Sequence, residues 1–134
     1  MEYQERTVQR VFSIRFSSGD RIIECLEKLV AEKGIQTGIV LFLGAFTEGN
    51  LVLGFRKHSK MAGDFDRGTF SGTREALGIG GITWVDGKPK IHLHAGIAKE
   101  REVFLAHIVE AGVAGAEVFL LELSGGGFSS AALL

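Results

Sequence analysis

Lys90-Ile91-His92-Leu93-His94-Ala95-Gly96-Ile97-Ala98 decides how this chain is read. Ile91, Leu93, Ala95 and Ile97 share one parity, and His92, His94 and Gly96 share the other. A period of two belongs to a strand with one face against a core. The same period projects His92 and His94 to one side, about 6.6 Å apart along the strand. On a helix that spacing would splay them apart.

Working outward, Asp86-Gly87 is a hairpin signal ahead of this strand, since both residues tolerate the positive φ that tight turns demand. Before it, Arg67–Gly72 and Glu75–Trp84 read as strands, the second rich in glycine. Thr37–Phe46 is almost wholly apolar, as expected of a strand buried on both faces. Glu48-Gly49-Asn50 suggests a turn leading to a return strand, Leu51–Arg56. After the histidine strand, Glu102–Val109 and Ala116–Leu123 complete the set, and Thr7–Phe16 opens the chain. His58 to Asp66 is polar and reads as an exposed loop, with His58 a solvated bystander.

One helix stands out. Arg21–Lys33 places Ile22, Ile23, Leu26, Leu29 and Val30 on one face, with Glu24 and Lys28 an i,i+4 pair on the other. Asp20 is placed to cap its start and Gly34 to end it. One principal helix beside seven to eight strands predicts an α+β domain with a mainly antiparallel sheet. At 134 residues, 1–134 is expected to be a single domain, with 124–134 an irregular tail. The apolar end of that tail, Ala131–Leu134, is expected to pack on a neighbouring subunit.

The formal charge is −1, from 15 Lys and Arg against 16 acids, with no basic patch or stripe. Direct, autonomous nucleic-acid binding is therefore disfavoured. Cys25 is the only cysteine, so no internal disulfide forms, and we expect it to be an inert helix residue. Met1–Arg6 has no secretory signal and no apolar run approaches the roughly 20 residues of a membrane span. The expectation is a cytoplasmic protein without membrane contact.

His107 shares parity with Val103, Leu105 and Val109. If its segment pairs with the His92–His94 strand, a third imidazole joins the first two. Three neutral imidazoles with an open position suit Zn²⁺, and also Fe²⁺, Co²⁺ or Ni²⁺. Histidine pairs of this kind also occur as solvated or hydrogen-bonded side chains, so the pair by itself leaves both readings open.

These residues resemble those of the PPC domain (plants and prokaryotes conserved), found alone in bacteria and archaea and joined to AT-hooks in plants. The resemblance spans nearly the whole chain: Gly19-Asp20, Lys33-Gly34-Ile35, Leu43-Gly44-Ala45, Ile91-His92-Leu93-His94-Ala95, Ala106-His107 and Ala116-Glu117-Val118. It implies a homotrimer with a metal pocket near subunit contacts, and carries the ligand role to His92, His94 and His107. A second family signature, G-x-F-E-I-L-S-L-S-G, corresponds to Gly72-Thr73-Arg74-Glu75-Ala76-Leu77-Gly78-Ile79-Gly80-Gly81. Gly72, Glu75, Leu77 and Gly81 agree, whereas Arg74 replaces the aromatic and Gly78 and Gly80 replace serines. Those glycines are expected to open a pocket, with Glu75 a supporting carboxylate near the metal. The resemblance implies a metal-binding protein, zinc foremost, that holds a small molecule or anion. Two alternatives stay open: a DNA-associated or protein-interaction regulatory module, and a metal-dependent hydrolase. The Arg-Gly-Arg-Pro element through which AT-hook proteins contact DNA is absent.

Overall fold

The computed structural model describes residues 1–55 and 64–127. The elements run β1 (Val8–Phe16), α1 (Ile22–Lys33), β2 (Gly38–Phe55), β3 (Phe65–Val85), β4 (Lys88–Lys99) and β5 (Glu102–Leu123). The α+β class and antiparallel sheet agree with the expectation. His58 and residues 128–134, with the proposed subunit contact of the tail, lie outside the described residues.

The described residues form five strands rather than seven or eight. Three expected pairs of strands are each one continuous strand, because the glycines between them bend the chain instead of reversing it. At Glu48-Gly49-Asn50 the ladder continues, with Gly49 opposite Phe70 on β3 and Ala111 on β5. What changes there is the register, which slips between Phe46 and Glu48 against both neighbours. A β-bulge of this kind bends a strand and adds twist. Only a residue without a side chain fits the bend: a Cβ on Gly49 would stand 2.6 Å from the Phe70 ring. Gly72, at φ +91°, does the same for β3 in a region L side chains rarely adopt. The true reversal is Asp86-Gly87, both at positive φ, as expected of a two-residue hairpin.

Strand order is β1-β5-β2-β3-β4, and β4 also pairs with β5, so β5, β2, β3 and β4 close a ring. The N-terminal part of β5 meets β4, and its C-terminal part lies between β2 and β1. The ring's inner face carries the core. Leu93, Ala95 and Ile97 of β4 meet Ile108, Val118 and Leu120 of β5 and Val40 and Phe42 of β2, all essentially solvent-free. Phe42 and Phe46 stack with ring centres 4.5 Å apart. Gly78 and Gly80 do not open a pocket here. A Cβ on Gly80 would stand 2.6 Å from the His92 carbonyl oxygen, and one on Gly78 2.8 Å from that of His94. The backbone of β4 occupies the space they vacate.

Helix α1 packs on β4 and β5 through Ile22, Ile23, Leu26 and Val30. Each fully buried side chain of this size contributes about 1.5–3 kcal/mol. Gly34 ends the helix in the left-handed conformation, and Ile35 N–H donates to the Val30 carbonyl at 3.1 Å. The start differs from expectation. Arg21 is the N-cap residue and gives no side-chain cap, while Asp20 accepts the Ser17 N–H at 2.8 Å. The cap comes from β5 instead. The Glu110 carboxylate accepts the N–H groups of Ile23 and Glu24 at 3.0 and 3.1 Å. A negative charge there also meets the positive end of the helix dipole. At the other end, Trp84 Nε1 donates to the Ile35 carbonyl at 3.0 Å, and Lys90 pairs with Glu27 at 3.3 Å. The buried Glu122 is satisfied by Arg10, whose guanidinium also donates to the Lys33 carbonyl at 3.0 Å. Among the described residues no helix is long and apolar enough to cross a membrane.

Glu110→Ala is expected to cost about 1–2 kcal/mol, since it strips two helix N–H groups of their acceptor. Asp20→Ala, at the position the sequence suggests for the cap, is expected to cost about 0.5 kcal/mol or less. Urea unfolding of both variants checks the pair.

Candidate metal centre

The site follows from the alternation of β4 and from its pairing with β5. Ile91, Leu93, Ala95 and Ile97 turn into the core, so His92 and His94 must face outward. The hairpin between the strands turns at Glu100, at φ +57°, and the ladder then runs from Lys99 opposite Glu102 to His94 opposite His107. Directly opposed residues of an antiparallel pair share a face. His107 therefore joins the other two.

The three rings form a compact triangle. Ring centres are 4.9 Å apart for His92–His94, 4.8 Å for His92–His107 and 5.2 Å for His94–His107. The Nε2 atoms of His92 and His94 approach to 2.9 Å. One nitrogen from each residue can be chosen so that no pair exceeds 4.8 Å. Four-coordinate zinc, with bonds of about 2.0–2.1 Å, sets nitrogen donors roughly 3.3 Å apart. The triangle fits such an ion with small movements of the rings, and the donor chemistry is right.

Partial burial holds His92 and His107 below the usual imidazole range. The neighbouring imidazoles act in the same direction, and for His107 so does Arg67. Each effect favours the neutral ring, which is the form that binds a metal. Among the described residues no carboxylate or thiol belongs to the cluster. Along the ladder, the His94–His107 pair lines up with Ile79 of β3, and the next outward pair brings Leu77 beside Gly96 and Leu105. The setting is apolar.

Glu75 is not brought to the histidines. It shares their face but is exposed opposite Ala45, four residues from Ile79 and therefore about 13 Å along β3 from the row that holds His94. Two other acids are engaged elsewhere: Glu110 caps α1, and Glu117 lies 3.7 Å from Arg15. Arg67 was not singled out by sequence reasoning. It stands opposite Val52 of β2, whose other neighbour is His107. Nothing in local sequence reports a neighbour two strands away and forty residues distant. Arg74, which stands where the family signature has an aromatic, lies apart from the histidines. It faces Phe70 at 5.5 Å, its Nε is buried without a hydrogen bond, and it lines a cavity of about 390 Å³ with Leu51, Phe104 and Lys99. That cavity does not include the histidines.

Comparison with known proteins bears on this geometry. A metal-containing protein from Archaeoglobus fulgidus is similar over 95% of this chain and 89% of its own, at 26% identity and a TM-score of 0.84. A plant- and prokaryote-conserved (PPC) protein from Pyrococcus horikoshii is similar over 93% and 86%, at 25% identity and a TM-score of 0.81. A proposed DNA-binding protein from Bacteroides thetaiotaomicron, 23% identical over 87% and 82% with a TM-score of 0.72, shares the fold. No curated protein matches in a sequence comparison. The sequence profile of the Plants and Prokaryotes Conserved domain covers residues 3–124, so with this fold and this histidine triangle the chain belongs to the Plants and Prokaryotes Conserved (PCC) domain family.

Proposed function

We propose that this protein is a metal-binding homotrimer that holds a small ligand at His92, His94 and His107, with zinc as the resident ion. The observation that carries this reading is the triangle of imidazole donors, none farther than 4.8 Å from another. The metal-containing protein of Archaeoglobus fulgidus, similar along nearly its whole length, supports it. Three protein donors leave a further position for a ligand, whereas a purely structural zinc site closes its sphere with four. Zinc bound there would act as a Lewis acid toward whatever takes that position. The chain's own part is to present three neutral nitrogens from a rigid two-strand frame.

Binding is favoured over hydrolysis because, among the described residues, no carboxylate general base stands beside the triangle. Glu110 and Glu117 are engaged elsewhere, and Glu75 is about 13 Å from the row of His94. The trimer is supported by the outer sheet face next to the site. Leu43, Leu77 and Leu105 are 55%, 67% and 67% exposed, and Ile79 is 61% exposed. Registered pairing makes them neighbours rather than scattered residues. An apolar patch of this kind marks an interaction surface. A nucleic-acid role has no comparable support in a chain of net charge −1. The lone cysteine agrees with a cytoplasmic setting.

Elemental analysis of protein loaded with zinc is expected to find about one ion per chain, and a His92→Ala/His94→Ala variant is expected to hold less than a tenth of that. Near-zero content in both proteins refutes the site. Zinc affinity is expected to fall as pH is lowered, because protons compete for the nitrogens, and the lowered His92 and His107 place their part of that fall below the ordinary imidazole value of about 6.5. A zinc titration at stepped pH checks the sign. Leu77→Glu/Ile79→Glu is expected to convert the trimer to monomers in sedimentation equilibrium, through charges placed in an apolar contact.

A further inference from the structure

The proposed metal site has an electrostatic imbalance. Its three donors are neutral, so a divalent ion would keep its full charge, and no carboxylate of the described residues joins the cluster. The nearby outward side chains Ile79, Leu77 and Leu105 are apolar and offer nothing to offset it. Among the described residues, the ladder sets a further cation across from the triangle, while Lys90, two residues from His92, is paired with Glu27. Val52 pairs with His107 on one side and Arg67 on the other, which puts both on one face of the sheet. Two strand spacings set their Cα atoms about 10 Å apart, a gap that a long arginine side chain narrows. Arg67 is exposed and has no ion-pair partner among the described residues. Its neighbour Asp66 has the opposite parity, opposite Gly54, and so points away.

Resting on the metal-site reading above, we propose that Arg67 is a second anchor of the site and that its ligand is an oxyanion, a phosphate or carboxylate. One oxygen takes the open metal position and another accepts hydrogen bonds from the Arg67 guanidinium. The chemistry suits both ends. A guanidinium presents a planar set of N–H donors that matches two oxygens of one anion. A metal held by neutral ligands gains most from an anionic fourth partner. A halide also fills a metal position, but a single atom offers no second oxygen to the guanidinium.

The test uses the full chain loaded with cobalt(II), whose visible spectrum reports changes in coordination. Metal content is measured first, then inorganic phosphate and chloride are each titrated into the native protein and into Arg67→Gln. The expected result is equal cobalt content in both proteins, with phosphate at least tenfold weaker in Arg67→Gln and chloride changed less than twofold. If the native protein binds no cobalt, the metal reading and this proposal fall together. If cobalt content is equal and phosphate either leaves the native spectrum unchanged or binds both proteins alike, the two-anchor site is overturned while the metal reading stands. If phosphate and chloride weaken equally, Arg67 contributes only charge, and the second contact is also overturned.

Discussion

The pairing of β4 with the first half of β5 is the constraint on which the rest depends. It closes the ring of β2, β3, β4 and β5, so the inner faces of four strands enclose one core. It also places His107 opposite His94, since the pairs that seal the core and those that assemble the triangle alternate along one ladder. Because side chains alternate with period two, a slip of one residue would turn Leu93 outward and His94 into the core. Burial of Leu93 and Ile108 thereby fixes the register that the histidines need. Folding energy and site geometry come from opposite faces of the same strands.

Glycine makes that closure geometrically feasible. A ring of few strands needs sharply bent strands, and the long β2, β3 and β5 bend where side chains are absent. Gly49 and Gly112 lie where a Cβ would meet Phe70 and Thr47, and Gly44 lies 2.4 Å, on the same measure, from the Gly115 carbonyl. Gly78 and Gly80 let β4 come close behind the histidines. The helix enters as a separate wedge. Its start is held by Glu110, only three residues past His107, so one strand both anchors α1 and carries a corner of the triangle.

The histidine triangle combines rigidity with partial exposure. Its frame is two hydrogen-bonded strands with buried Leu93 and Ile108 behind them, while the rings themselves reach solvent. This arrangement suits binding of an exchangeable partner better than closure around a structural ion. Next to it lies the exposed apolar sheet face of Leu43, Leu77, Ile79 and Leu105. A metal, a ligand and neighbouring subunits would then meet on one surface.

Local sequence determined much of this. The alternation of residues 91–97 was enough to place His92 and His94 together, because parity is a property of one strand. The amphipathic period of α1, the left-handed Gly34 and the Asp86-Gly87 hairpin were legible for the same reason, each being settled within a few residues. Strand number was not, because a glycine that bends a strand and one that ends it look alike in sequence. The helix cap was misplaced because Asp20 was in the right position along the chain, yet Glu110 reached the same N–H groups from 86 residues away. His107 could be named from the sequence only on condition that its strand paired with β4. Arg67 became visible only through Val52, since cross-strand register is decided by packing of the whole ring and is written in no single segment.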